Sequence, residues 1–95
     1  MELGDIGTEF KYETELVRVW DLLLAPGQSS DWHRHEENYV FIVTRSGTLT
    51  TEYEDGTCST NKLELGEVVQ GQKGSLHRVT KAGSETYSNS IVELK

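Results

Sequence analysis

The feature that most narrows the folds open to this chain is its rhythm. Short runs rich in Val, Leu, Thr and Tyr are cut by glycines, and apolar residues nowhere recur at helical spacing for more than one turn. A packed helix needs an apolar stripe of 3.6-residue period, and none is present. Such a chain is all-β, a sandwich or a barrel. The turn residues place the strands. Residues 16–24 end in the turn Ala25-Pro26-Gly27, 30–35 form a short strand, and 38–45 run to Ser46-Gly47. Residues 48–54 meet Asp55-Gly56, a two-residue hairpin signal from which 57–65 return. Gly66 precedes 67–70, and after Gly71-Gln72-Lys73-Gly74 come 76–81 and 87–94. Residues 1–15 are polar and acidic and read as a mobile N-terminal arm with an edge strand at its end. Residues 16–95 read as one domain, since a chain of 95 residues supports one core.

Charge and length exclude several functions. The net charge is −7 and the basic residues are scattered singly. Nucleic acid and anionic membrane surfaces both need clustered Lys and Arg, so neither is an expected partner. The single cysteine, Cys58, allows no intrachain disulfide, and with no histidine near it in sequence it reads as a plain residue and not a nucleophile. No apolar run approaches the roughly 18 residues that span a bilayer, and residues 1–12 lack the pattern of a secretory signal. A cytoplasmic protein is expected. A short, charge-rich chain has a poor surface-to-volume ratio and gains from pairing, which points to a homodimer. The run Tyr39-Val40-Phe41-Ile42-Val43 is apolar at every position, so both of its faces need cover.

The chain has three histidines, and their placement carries the chemistry. His33 and His35 are two apart, which on a strand puts both imidazoles on one face. His77 lies in a distant strand just after a glycine-bearing loop, and antiparallel folds bring such strands side by side. Imidazole suits Zn, Fe, Ni and Cu, and Mn where oxygens join. An isolated His-x-His is more often incidental than a metal site, and a lone histidine such as His77 is more often structural. The glycine framework around them changes that balance.

That framework resembles the cupin family. Its first motif runs Gly, five residues, His-x-His, three or four residues, Glu, six residues, Gly. Gly27, His33, His35 and Gly47 fit it, with Val40 standing at the carboxylate position. The second motif runs Gly, five residues, Pro-x-Gly, two residues, His, three residues, Asn. Gly66, Gly74 and His77 fit in order, with Gln72 replacing the proline and Lys81 the asparagine. The resemblance is to small single-domain bacterial cupins. It implies a small conical antiparallel β-barrel of jelly-roll type, a site in the barrel mouth and commonly a homodimer. It also implies one divalent transition metal (Fe, Zn, Ni or Mn) on His33, His35 and His77. Glu36 and Glu37 are the candidates for a substitute carboxylate ligand. By the family's pattern Val40 faces the metal, which puts Val40 and Ile42 in the pocket; the opposite parity would put Tyr39, Phe41 and Val43 there, with Tyr39 able to hydrogen-bond a substrate.

A three-histidine ion keeps its full positive charge and open positions, and it should favour an anionic ligand. The expected function is a metal-dependent enzyme acting on a small polar or anionic metabolite, with dioxygenase-like, isomerase-like and hydrolytic chemistry all open. The alternative is a non-catalytic barrel that binds a small molecule or the metal itself. A metal-free structural cupin is the least favoured, since it has no physical need for three histidines.

Overall fold

A computed structural model describes residues 2–95. Among the described residues nine strands follow one another without a helix: β1 (Glu9–Glu13), β2 (Val17–Leu24), β3 (His33–Arg34), β4 (Asn38–Arg45), β5 (Gly47–Tyr53), β6 (Cys58–Leu63), β7 (Val68–Gly71), β8 (Leu76–Ala82) and β9 (Tyr87–Leu94). No helix of the described residues is long and apolar enough to cross a membrane. The β-branched and aromatic content of these runs suits a pleated, half-buried surface. Five of the turn or loop positions are glycines with positive φ: Gly27, Gly56, Gly66, Gly74 and Gly83. Gly66 and Gly74 sit at φ of 85° and 98°, where a side chain would strain the backbone.

The strands form two antiparallel sheets, one ordered β1-β2-β9-β4-β7 and the other β3-β8-β5-β6. The second sheet continues past β3, because the segment before it runs along β8. Ser30 N donates to Val79 O (2.8 Å) and Gly27 N to Lys81 O (3.1 Å). Each sheet turns an apolar face to the other. Leu22 and Leu24 of β2, Val43 of β4, Leu49 of β5, and Tyr87 and Ile91 of β9 meet between them in one core. The expected all-β, jelly-roll class is what the structure shows. The two sheets are not hydrogen-bonded to each other along a continuous strand ladder, so the barrel is open at its seams.

The segment read as an arm packs onto this frame. Ile6 is buried in the core, Gly4 N donates to Trp32 O (2.8 Å), Thr8 N donates to Asp21 O (2.8 Å), and β1 pairs with β2 at the edge of the five-stranded sheet. Ile6 stands alone among polar and glycine residues, so no periodicity marks it as core. A Cβ at Gly7 would lie 2.7 Å from both Trp20 Cβ and Asp21 O, which shows how closely the backbone approaches there.

Candidate metal centre

The register of the four-stranded sheet brings the histidines together. His33 on β3 pairs directly with His77 on β8. Residues directly opposite in an antiparallel pair carry their side chains on the same face, about 5 Å apart. His35 follows two residues on and returns to that face. The pairing continues through it, with His35 N donating to Ser75 O (2.9 Å) and Gly74 N to His35 O (2.8 Å). All three residues are buried, His33 at 2%, His35 at 3% and His77 at 9% of full exposure. One ligating atom from each lies within 4.8 Å of the others.

Each ring is oriented by a different device. The Nδ1 of His33 lies 2.8 Å from Asp31 O; a carbonyl can only accept, so Nδ1 carries the proton and Nε2 keeps its lone pair. His77 Nδ1 lies 2.9 Å from Ser75 Oγ, the kind of outer partner that fixes a ligating imidazole. His35 Nδ1 is buried without a hydrogen-bond partner. Its ring is held instead by Tyr39, stacked on it with centroids 3.7 Å apart and planes 13° from parallel. Tyr39 can lie there because Gly71 pairs opposite it, and a Cβ at Gly71 would collide with the phenol ring.

The donors fit a divalent transition ion. Nε2 of His35 and Nε2 of His77 are 3.2 Å apart, and a metal with bonds of about 2.0–2.1 Å holds its ligand nitrogens roughly 3–3.4 Å from one another. Protonation does not compete near neutral pH. Burial, reinforced by the neighbouring His33 and His77, pushes His35 down to about 3. Burial and then His33 push His77 down to about 4. Burial also lowers His33, against the raising effect of the Asp31 carbonyl and charge. Three neutral rings thus sit together without repulsion between like charges.

The histidines line the wall of a cavity of about 740 Å³ between the sheets, which also has Tyr39, Phe41 and Ile91 on one side and Thr51, Tyr53 and Val79 on the other. The comparisons with known proteins bear on family and fold. Residues 20–88 match the family model described as Cupin domain. The chain belongs to the cupin family. A cupin domain from Bordetella pertussis Tohama I superposes with a TM-score of 0.84 at 25% identity, covering 97% of this chain and 99% of the other. An RmlC-like cupin with a double-stranded β-helix fold from Methanocaldococcus jannaschii gives a TM-score of 0.71 at 17% identity, covering 96% and 93%. A protein with a double-stranded β-helix domain from Klebsiella pneumoniae gives 0.71 at 21% identity, covering 97% and 82%. No curated protein matches the chain.

Two expectations about this cupin's site need correction. Val40 and Ile42 do not line the pocket. Ile42 is 41% exposed on the outer face, whereas Tyr39 and Val43 are buried and Tyr39 and Phe41 line the cavity. The residue facing the histidines from β4 is therefore Tyr39. The cause is an irregularity between Val43 and Arg45 in the pairing of β4 with β9. It adds one residue to the strand, so counting back from Gly47 lands one position late. Glu36 and Glu37 supply no fourth ligand. They form the bend that carries the chain from one sheet to the other, Glu36 exposed and Glu37 half-buried, and neither joins the three imidazoles. Sequence reasoning also passed over Ser75 and Gly71. Strand parity could have found Ser75, two residues before His77 and on its face; Gly71 is visible only once the register of β4 and β7 is known.

Proposed function

We propose that this cupin is a metal-dependent enzyme acting on a small anionic metabolite, with His33, His35 and His77 holding one divalent transition ion, Fe, Zn, Ni or Mn. The observation that carries this reading is the convergence of three buried imidazoles inside a cavity. An ion held there supplies Lewis acidity, an acidified water or, as iron, a route to oxygen chemistry. The chain's own residues supply the rest. Ser75 and the Asp31 carbonyl hold two of the rings in place. Phe41, Val79 and Ile91 give the cavity an apolar part of its wall. Burial, followed by the charge of Tyr53, pushes the Tyr39 phenol up to about 12, so it keeps its proton and stands beside His35 as a hydrogen-bond donor.

Charge supports an anionic substrate. The chain carries −7 overall, yet among the described residues the cavity wall holds Lys73, a cation with no carboxylate within ion-pair distance, while Lys62 there is paired with Glu64 and Glu67 is the one acid. A bound divalent ion would make this wall more positive still, and a cleft of one sign concentrates ligands of the other. The same reading takes the protein as a cytoplasmic homodimer. Ile42, Val68 and Leu94, apolar and exposed on the five-stranded sheet, support the pairing.

The test is elemental analysis of untagged protein purified without chelators, beside His77→Ala. The expected outcome is about one ion per chain in the wild type, as a single three-histidine ligand set implies, and loss of most of it in the variant. A variant as fully loaded as the wild type would defeat the assignment. Iron would favour dioxygenase-like chemistry; zinc or nickel would favour isomerisation or hydrolysis. A panel of small carboxylates that stabilises the loaded protein without any turnover would move the reading to a non-catalytic binding barrel.

A further inference from the structure

Most of the cations of this acidic chain are already committed. Lys11, Arg18, Lys62, Arg78 and Lys95 each lie within 4 Å of a carboxylate. Lys81 is buried and donates to Ala82 O. Arg34 is exposed on β3, on the face opposite His33 and His35, and Arg45 borders a shallow depression away from the cavity. Among the described residues, Lys73 is the one cation that lines the cavity and has no carboxylate partner.

Its position is built. Lys73 lies in the loop between β7 and β8, and that loop is tied to the histidine segment. Lys73 N donates to Asn38 Oδ1 (2.9 Å), and the next residue, Gly74, donates to His35 O (2.8 Å). The lysine backbone is thus fixed against the residue that carries the His35 ring. The acid on the same wall makes no ion pair with it; Glu67 Oε1 instead accepts from Glu64 N at 3.1 Å.

We infer that Lys73 receives a second anionic group of the substrate, which makes the preferred ligand a small dianion of the dicarboxylate kind, one end at the histidine-held ion and the other at the Lys73 ammonium. This rests on the metal-centre reading above. A compact point charge on a flexible stem suits an end group whose distance from the metal varies with chain length.

The test uses the full chain loaded with Zn²⁺ and titrates malonate, succinate and glutarate against propanoate and butyrate by calorimetry. Lys73→Gln should weaken the tightest diacid about two- to fivefold, the range of an exposed charge pair, and leave the monoacids unchanged. Lys62→Gln, on a lysine already paired with Glu64, should alter neither class. The diacid advantage should also shrink with added salt. Diacids that bind no better than monoacids overturn the inference. So does Lys73→Gln leaving diacids untouched, or weakening both classes alike. Zinc content measured on the same samples separates the two readings: wild type that loses zinc on dialysis overturns the metal centre itself and this inference with it, whereas retained zinc with no Lys73 effect overturns this one alone.

Discussion

His35 shows how much the fold spends on holding an imidazole neutral. In an unfolded chain a histidine titrates near 6.5, while burial and the charges of His33 and His77 push His35 down to about 3, and burial and then His33 push His77 down to about 4. Above pH 6.5 these rings are unprotonated in both states and contribute no pH dependence. Below it the unfolded chain binds protons that the folded chain refuses, so stability falls as the pH drops from about 6.5 toward the folded values, and the decline ends below them. The expected outcome for metal-free protein is a urea midpoint that decreases between about pH 7.5 and pH 5. The decrease should be shallower in His35→Gln, which removes the most strongly shifted ring. Equal slopes in the two proteins would show that the acid sensitivity lies elsewhere.

At the scale of elements, β4 decides which face of the barrel is which, and it is the element the sequence leaves most ambiguous. Tyr39-Val40-Phe41-Ile42-Val43 has no polar face to choose solvent, and the residue inserted before Arg45 spoils the count back from Gly47. The histidines were legible for the opposite reason. Gly27 and Gly66 frame them in turns of fixed spacing, and a two-residue step on a strand has only one outcome. The short second strand was legible as extended chain but not in its bounds, because only His33–Arg34 satisfy the ladder while the residues before them run beside β8 through isolated bonds. The assigned parity makes a quantitative prediction. Val43 is 1% exposed, so Val43→Ala should cost about 2 kcal/mol through lost packing. Ile42→Thr, one residue away on the outer face, should stay within about 0.5 kcal/mol of wild-type stability when both are denatured at protein concentrations too low for pairing. Chemical denaturation of the two variants checks it, and a reversed order would restore the parity that places Val40 against the histidines.

For the whole molecule the distribution of charge matters more than its sum. A chain of net charge −7 repels its own copies, so an association has to use a surface where charge is absent. The outer face of the five-stranded sheet offers an uncharged row, to one side of the charged group Glu9, Lys11 and Asp21. Val19, Val92 and Val40 stand side by side across β2, β9 and β4, and Ile42 pairs with Val68 in the next row. A second copy laid on this face would cover the side of β4 that the cavity does not use, and it would do so without touching the histidines. Sedimentation should therefore show a dimer in the wild type and a monomer when Ile42→Lys and Val68→Lys are combined, with the metal content unchanged. The dimer should tighten as salt is raised, since screening removes the repulsion between the two acidic bodies while leaving apolar burial intact. A dimer that survives both lysines would place the contact on another face, and one that weakens with salt would show that ion pairs, not this apolar row, hold it together.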